Sequence, residues 1–440
     1  MKTLWIVGLA SVLVSAQDRG PVQLSLRRAV EIATSPEGST QIQLSGEALK
    51  QARLRSKEAR AALLPDFESA FSYQNRTANL AAQGITLAHL PFPGSFPTFV
   101  GPFSTMDARV TGSQSILNLS SIRQYQASKT GVSAAVSDSD SASEQVAAVV
   151  ARAYLAAVRA DTDVETAQAN IMLSQAVLTQ AENQKTAGTG TGIEITRARV
   201  QLANDQQRLL VAQNDRKAAH LRLLRAMGLR LDTDLQLTDR LEYVPVDATT
   251  LEQARAQALK DRPDYKAQQQ RESTARLSAS ATTLERFPTL AALGDYGSSG
   301  AGFSNVLPTR TYGISLRLPI FDGGRRDARR AESNSQYRAE AVRTNDLKEQ
   351  VELDVRLALD ALSSAQDQVT VARDGLDLAQ NELEQARRRY QAGVSDSLEV
   401  TDAQTRLERA RDNQTAALYN YNVARIDLAQ AMGAVRRAIP

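Results

Sequence analysis

Two carboxylates three residues apart, Glu399 and Asp402, are the sharpest chemical feature of the chain. At the start of a helix they share one face. Several copies around a narrow opening would favour cations and could hold that opening shut through hydrogen bonds. Acids in a first helical turn also do no more than favour the helix dipole, and that plainer role stays open. The glycines Gly188, Gly190 and Gly192 look at first like a phosphate loop. No strand precedes them and no Gly-Lys-Ser/Thr follows, so a tight helix-to-helix turn is the better reading. His89 and His220 are the only histidines, one expected in a loop and one in a helix, with no ligand set near either. The chain has no cysteine, which removes disulfides, thiolate metal sites and thiol nucleophiles. No enzyme, metal or cofactor is expected, because no nucleophile set or metal cluster falls where a pocket is expected.

The elements that position these residues follow from an internal repeat. Ala187-Gly188 to Ala226-Met227-Gly228 aligns without a gap onto Ala392-Gly393 to Ala431-Met432-Gly433, always 205 positions later. Glu194, Thr196, Ala198 and Leu202 match Glu399, Thr401, Ala403 and Leu407. Upstream, Val351, Val355, Ala358, Leu362, Ala365, Val369, Ala372, Leu376, Ala379, Leu383, Ala386 and Tyr390 step by four and three. The same offset gives a stripe from Val146 and Val150 to Ala181 and Lys185. A seven-residue apolar repeat held this long predicts coiled-coil seams, with alanine allowing close helix approach. Each rod is expected to turn at its glycines and return, giving two antiparallel helical hairpins. The predicted helices run over about 120–187 and 193–228 in the first repeat (17–240), and about 323–391 and 397–433 in the second (241–440). No proline lies between Pro102 and Pro245 or between Pro319 and Pro440, so nothing breaks them.

All nine phenylalanines fall between Phe67 and Phe103 or between Phe287 and Phe321. Tyr312, Ile314, Leu316, Leu318 and Ile320 alternate with smaller or polar residues, the period of a strand with one apolar face. Strands are predicted at about 66–76, 106–117, 288–297 and 311–320, with loops at 89–102 and 297–304. Such alternation fits membrane-spanning barrel strands, and a soluble hairpin subdomain is the other reading. Four strands cannot close a transmembrane barrel, so several chains would have to share one.

Residues 1–16 carry Lys2, an apolar run from Leu4 to Val14 and small residues at Val14-Ser15-Ala16, which reads as a signal peptide. Beyond it no apolar run is long enough for a transmembrane helix. A net charge of +3, spread among acids, gives no nucleic-acid signal.

Leu63-Leu64-Pro65, Phe287-Pro288, Ile320-Phe321-Asp322-Gly323-Gly324, Arg262-Pro263-Asp264, the two tips and the paired Met-Gly endings resemble the TolC-like outer-membrane efflux family. That resemblance covers roughly Leu24 to Gly433. It implies a mainly α fold with a small transmembrane β-barrel: four strands per chain in a 12-stranded barrel shared by a homotrimer, continued by the helical hairpins as an α-barrel tunnel into the periplasm. The connection near Leu229 to Val246 and the chain ends would form a mixed equatorial region. The implied partners are a periplasmic adaptor, an inner-membrane pump and outer-membrane lipid. Tyr390, Glu399 and Asp402 resemble gate positions, and Arg197 is a candidate to meet Asp402. Gly188, Gly190, Gly192, Gly393 and Ser395 are candidates for adaptor docking. Ser395 stands where the family can have an arginine, so the closing contacts are expected to differ. The family's first helix usually continues through an Asn-Pro-containing segment, whereas here Thr34-Ser35-Pro36-Glu37-Gly38-Ser39 is followed by Thr40 to Ser45, and whether the helix is interrupted over 34–45 stays open. Arg325, Arg326, Arg329 and Arg330 are either a solvated cluster or contacts to anionic headgroups. A periplasmic or secreted coiled-coil interaction protein is the competing reading, and it leaves the alternating strands unexplained.

Overall fold

The computed structural model describes residues 22–83, 98–246 and 249–439. The expected signal peptide and His89 lie outside the described residues. In chain order the elements are β1 (Val22–Leu24), α1 (Leu26–Thr34), α2 (Thr40–Ala61), β2 (Asp66–Asn79), β3 (Phe99–Leu117), α3 (Leu119–Thr186), α4 (Gly192–Met227), β4 (Leu235–Leu237), α5 (Leu251–Asp261), α6 (Pro263–Leu284), β5 (Thr289–Gly300), β6 (Val306–Arg317), α7 (Arg325–Gln391), α8 (Ser397–Ala431) and α9 (Val435–Ala438). The chain is thus mainly helical, and it divides into two compact units that each draw on both repeats.

One unit comprises residues 1–45, 140–262 and 350–440. Its core is the predicted seam. Val146, Val150, Ala157 and Val164 of α3, and Val351, Val355, Ala365, Val369, Leu376 and Leu383 of α7, are all less than a tenth exposed. Within this unit α3 runs from Asp140 to Thr186, about 70 Å at about 1.5 Å per residue. The first described residues are tied in by β1, which pairs in parallel with β4, and by Tyr154, whose hydroxyl donates to the Leu24 carbonyl at 2.8 Å. The chain end is tied in by Val435 and Ile439, buried in the same cluster, and by Arg436, whose Nε donates to Glu144 at 2.8 Å. Both return helices stop where backbone meets backbone. A Cβ on Gly228 would come within 2.8 Å of the Gly38 carbonyl oxygen, and one on Gly433 within 2.7 Å of the Arg262 Cα. The first-half helix is interrupted at residues 35–39, where Ser35-Pro36 ends α1, and α2 resumes at Thr40.

The other unit, residues 46–139 and 263–349, holds a four-stranded sheet in the order β2-β3-β5-β6, antiparallel throughout. The strands are longer than the side-chain pattern predicts. β3 begins at Phe99, inside the expected loop 89–102, and β5 continues through Ser298 and Ser299 to Gly300. Ladder hydrogen bonds use only the backbone, so small residues pair as well as apolar ones. β6 starts earlier, at Val306, and ends at Arg317, so Leu318 and Ile320 continue the alternation but not the ladder. Pro319 has no N–H to donate to it. The registers Phe67↔Gly112↔Gly294↔Tyr312 and Val110↔Tyr296 put Phe67, Phe71, Tyr73, Val110, Tyr296, Tyr312, Ile314 and Leu316 on one face, every one of them exposed. The opposite face carries Glu68, Asp107, Arg109, Thr111, Asp295, Thr311 and Arg317. Of the basic cluster opening α7, Arg326 pairs with Asp322 at 2.8 Å and Arg329 with Glu285 at 2.9 Å.

Candidate functional site: the two helical tips

At the first tip, the carbonyls left over at the end of α3 are taken up by the turn: Gly188 N–H donates to Lys185 at 3.0 Å, and Thr189 and Gly190 both donate to Gln184 at 3.0 Å. The second tip does the same with Gly393 to Tyr390 at 3.1 Å and Val394 to Arg389 at 3.0 Å. Gly188 and Gly393 occupy the same left-handed conformation, φ 76° and 70°, and a Cβ on either would touch nothing within 4 Å. Backbone conformation, not crowding, therefore calls for glycine at these two positions. Gly192 is simply the first residue of α4.

The second tip carries the candidate gate. Asp396 caps α8, accepting from the Leu398 and Glu399 N–H groups at 3.1 and 3.3 Å. That leaves the Glu399 side chain free to reach back over the turn, where Arg389 Nε meets it at 3.0 Å. Tyr390 is 4% exposed and belongs to one buried apolar cluster with Ala386, Val400, Ala403 and Leu407 and with Val177, Leu178 and Ala198 of the first hairpin. Its hydroxyl has no partner. Burial pushes the phenol above its usual pKa, and the carboxylates of Glu194 and Asp396 push the same way. Asp402 and Arg197 are both exposed, and no ion pair within the chain joins them. The structure thus brings Tyr390 and Glu399 into one tip and leaves Asp402 and Arg197 pointing to solvent. Ser395 is half-buried in the same turn, and its hydroxyl is also without a partner.

Arg389 escapes sequence reasoning because it sits ten positions from Glu399 across a turn, where no helical spacing reports contact. A second missed feature is a buried polar node joining α3, α4 and α8. Asp205 (1% exposed) accepts from Ser174 and from Gln201, the latter at 3.1 Å, while Arg208 bonds Glu408 (6% exposed) and lies 3.6 Å from Asp205. Burial pushes the Glu408 carboxyl above its usual value, Arg208 opposes this, and Asp205 adds to it. Asp412, nearby, is raised by burial as well. The node borders a cavity of about 330 Å³ that Arg159, Asp163 and Asn170 also line. His220 is held by Asp161 at 3.0 Å. Among the described residues no group of His, Asp and Glu is arranged to hold a metal ion, and no helix is long and apolar enough to cross a membrane.

The chain is 26% identical over 291 residues to the pyoverdine export outer membrane protein OpmQ of Pseudomonas putida, covering 64% of this chain and 61% of that one. It is 25% identical over 292 residues to the alkaline protease secretion protein AprF of Pseudomonas aeruginosa, covering 64% and 60%. The matched region thus spans about three fifths of the length of these curated relatives. The fold superposes on the outer membrane channel CmeC of Campylobacter jejuni with a TM-score of 0.79 at 16% identity, covering 93% of this chain and 86% of that one. The family model described as outer membrane efflux protein matches twice, over residues 37–229 and 254–434, once on each repeat. On those two matches, the chain belongs to the outer membrane efflux protein family, a family of outer-membrane channels and not of enzymes.

Proposed function

We propose that this chain is one protomer of a trimeric exit duct that passively exports small molecules or proteins across the periplasm and outer membrane, in an efflux or type I secretion system. The observation that carries the reading is the sheet. It has an exposed face dominated by aromatic and aliphatic side chains with Arg310 among them, an opposite face that carries Glu68, Asp107, Arg109 and Asp295, and two long edge strands, β2 of 14 residues and β6 of 12, whose outer sides pair with nothing among the described residues. Unpaired backbone groups are not tolerated in a bilayer, and four strands are about half of the smallest closed membrane barrel. Pairing β6 of one chain with β2 of the next closes a 12-stranded barrel of three copies. Lipid then covers the phenylalanine and tyrosine face, and the helical hairpins continue the passage as a tunnel. The tips at Gly188 to Gly192 and Gly393 to Ser395 dock a periplasmic adaptor, which links the duct to an inner-membrane pump. Tyr390, Glu399 and Asp402 close the tunnel mouth. A coiled-coil adaptor or filament subunit would leave the two-faced sheet without a role.

The test is to fractionate the exported protein and run it unheated and heated on SDS gels, then reconstitute it in planar bilayers. A detergent-extracted outer-membrane trimer that conducts ions supports the duct; a soluble monomer would overturn it.

A further inference from the structure

We propose that Arg109, clamped between Asp107 and Asp295, is a selectivity-determining residue of the barrel lumen: a fixed charged collar that favours cationic over anionic solutes. This rests on the duct reading above, because lipid against the apolar face leaves the charged face to line the lumen.

The clamp is built rather than incidental. Arg109 takes Asp107 in a two-pronged grip, Nε to Oδ1 at 2.8 Å and Nη2 to Oδ2 at 2.7 Å, while Nη1 reaches Asp295 at 2.8 Å. The first contact lies along β3, and the second crosses to β5, so the guanidinium also ties the first-half hairpin to the second-half one. Its seat is Gly297, directly opposite in the ladder: a Cβ there would fall 2.3 Å from the Arg109 Cβ. A Cβ there would also meet the Ala108 carbonyl oxygen at 2.5 Å and the Arg109 Cα at 2.7 Å, so the two strands approach too closely at this pair for any residue but glycine. A planar fork held by two carboxylates keeps its position far better than a lone flexible charge. One cation against two anions gives the clamp one net negative charge per chain. Three copies around a water-filled barrel make a ring of three negative charges, of the kind that attracts cations.

The sign can be moved both ways. Arg109→Gln should leave two unopposed carboxylates and raise the K⁺/Cl⁻ permeability ratio by about twofold or more, whereas Asp295→Asn should lower it by a similar factor. The experiment is the reversal potential of the reconstituted full-length trimer in a KCl gradient. It is made in a Glu399→Ala/Asp402→Ala background so that the tunnel mouth does not dominate. Arg76→Gln removes a charge from the same face near the end of β2 and should shift the ratio less. Heat-modifiable migration checks assembly of each variant, and the two opposing substitutions guard against one failing to assemble. Shifts of opposite sign support the collar. Unchanged ratios, shifts of one sign, or an equal effect of Arg76→Gln overturn it while the duct reading stands. A wild type that does not conduct overturns both.

Discussion

The two helical tips share a backbone and differ in what is mounted on it. Gly188 and Gly393 have the same left-handed φ at equivalent places in the repeat. Three neighbouring positions then diverge. Lys185 is exposed where its counterpart Tyr390 is buried. Glu194 spends its carboxylate on the Thr191 N–H at 2.8 Å, whereas Asp396, the counterpart of Thr191, caps its own helix and releases Glu399 to bind Arg389. The counterpart of Arg389 is Gln184, which has no charge to offer. The residue at the cap and the residue across the turn together decide whether the next acid stabilises a helix end or bridges a turn. The turn is a shared scaffold, and the second copy carries the chemistry.

The sharpest way to break this comparison is Tyr390→Ala, which should destabilise the tip by about 3–5 kcal/mol, as for other buried aromatic side chains. Lys185→Ala should stay within about 0.5 kcal/mol. Limited proteolysis at the tips of the assembled protein, read against denaturant, separates the two. Gly188→Ala and Gly393→Ala should cost about the same, roughly 1–2 kcal/mol each, since the strain lies in the shared φ. Gly192→Ala should be neutral or mildly stabilising, as alanine suits a first helical turn better; unequal losses at Gly188 and Gly393 would show that the turns are not equivalent. Restoring the first-tip arrangement with Asp396→Thr should draw Glu399 back to its cap and weaken the Arg389 pair. That pair is half exposed and contributes no more than about 1 kcal/mol to stability. Its effect should appear instead in bilayer conductance, which should rise in Glu399→Ala/Asp402→Ala or lose its cation preference; an unchanged record removes these acids from the gate.

The polar node gives the smallest and most specific effect. Glu408 faces Arg208, Asp205 and Gln201 from α4 and lies near Asp412 on its own helix. Its carboxyl is raised above 4.5, so folding favours the protonated form. The stabilisation that this provides is complete below about 4.5 and is lost as pH rises through the raised value. Glu408→Gln should flatten that dependence in a denaturation series across mildly acidic pH, while Arg389→Gln at the tip should leave it in place.

The helical frame was legible because its information is periodic: residues such as Val351 and Leu383 recur on one stripe, and the seam they form is the buried one. The 205-residue offset was legible too, and the matching φ angles of Gly188 and Gly393 obey it. Strand ends were not, since Ser298 and Gly300 join a ladder through backbone groups that carry no side-chain signature. Nor were the Arg389 to Glu399 bridge, the node or the Arg109 clamp. Each joins residues from separate segments whose meeting is decided by packing, and a lone arginine in a strand or helix reads as a solvated charge. Tyr390 stood out as more than a seam residue only through resemblance to a family.

The bases of the hairpins determine how far their tips can travel. At Gly228 and Gly433 a return helix bears on another stretch of backbone with no side chain between, so each contact can act as a fulcrum. From Gly228 the lever is the 36 residues of α4, about 54 Å at 1.5 Å per residue, so a tilt of about 5° carries its far end about 5 Å. Were the tunnel mouth closed by Tyr390, Glu399 and Asp402 as proposed, a rotation that the packing at the pivot would scarcely register would open it.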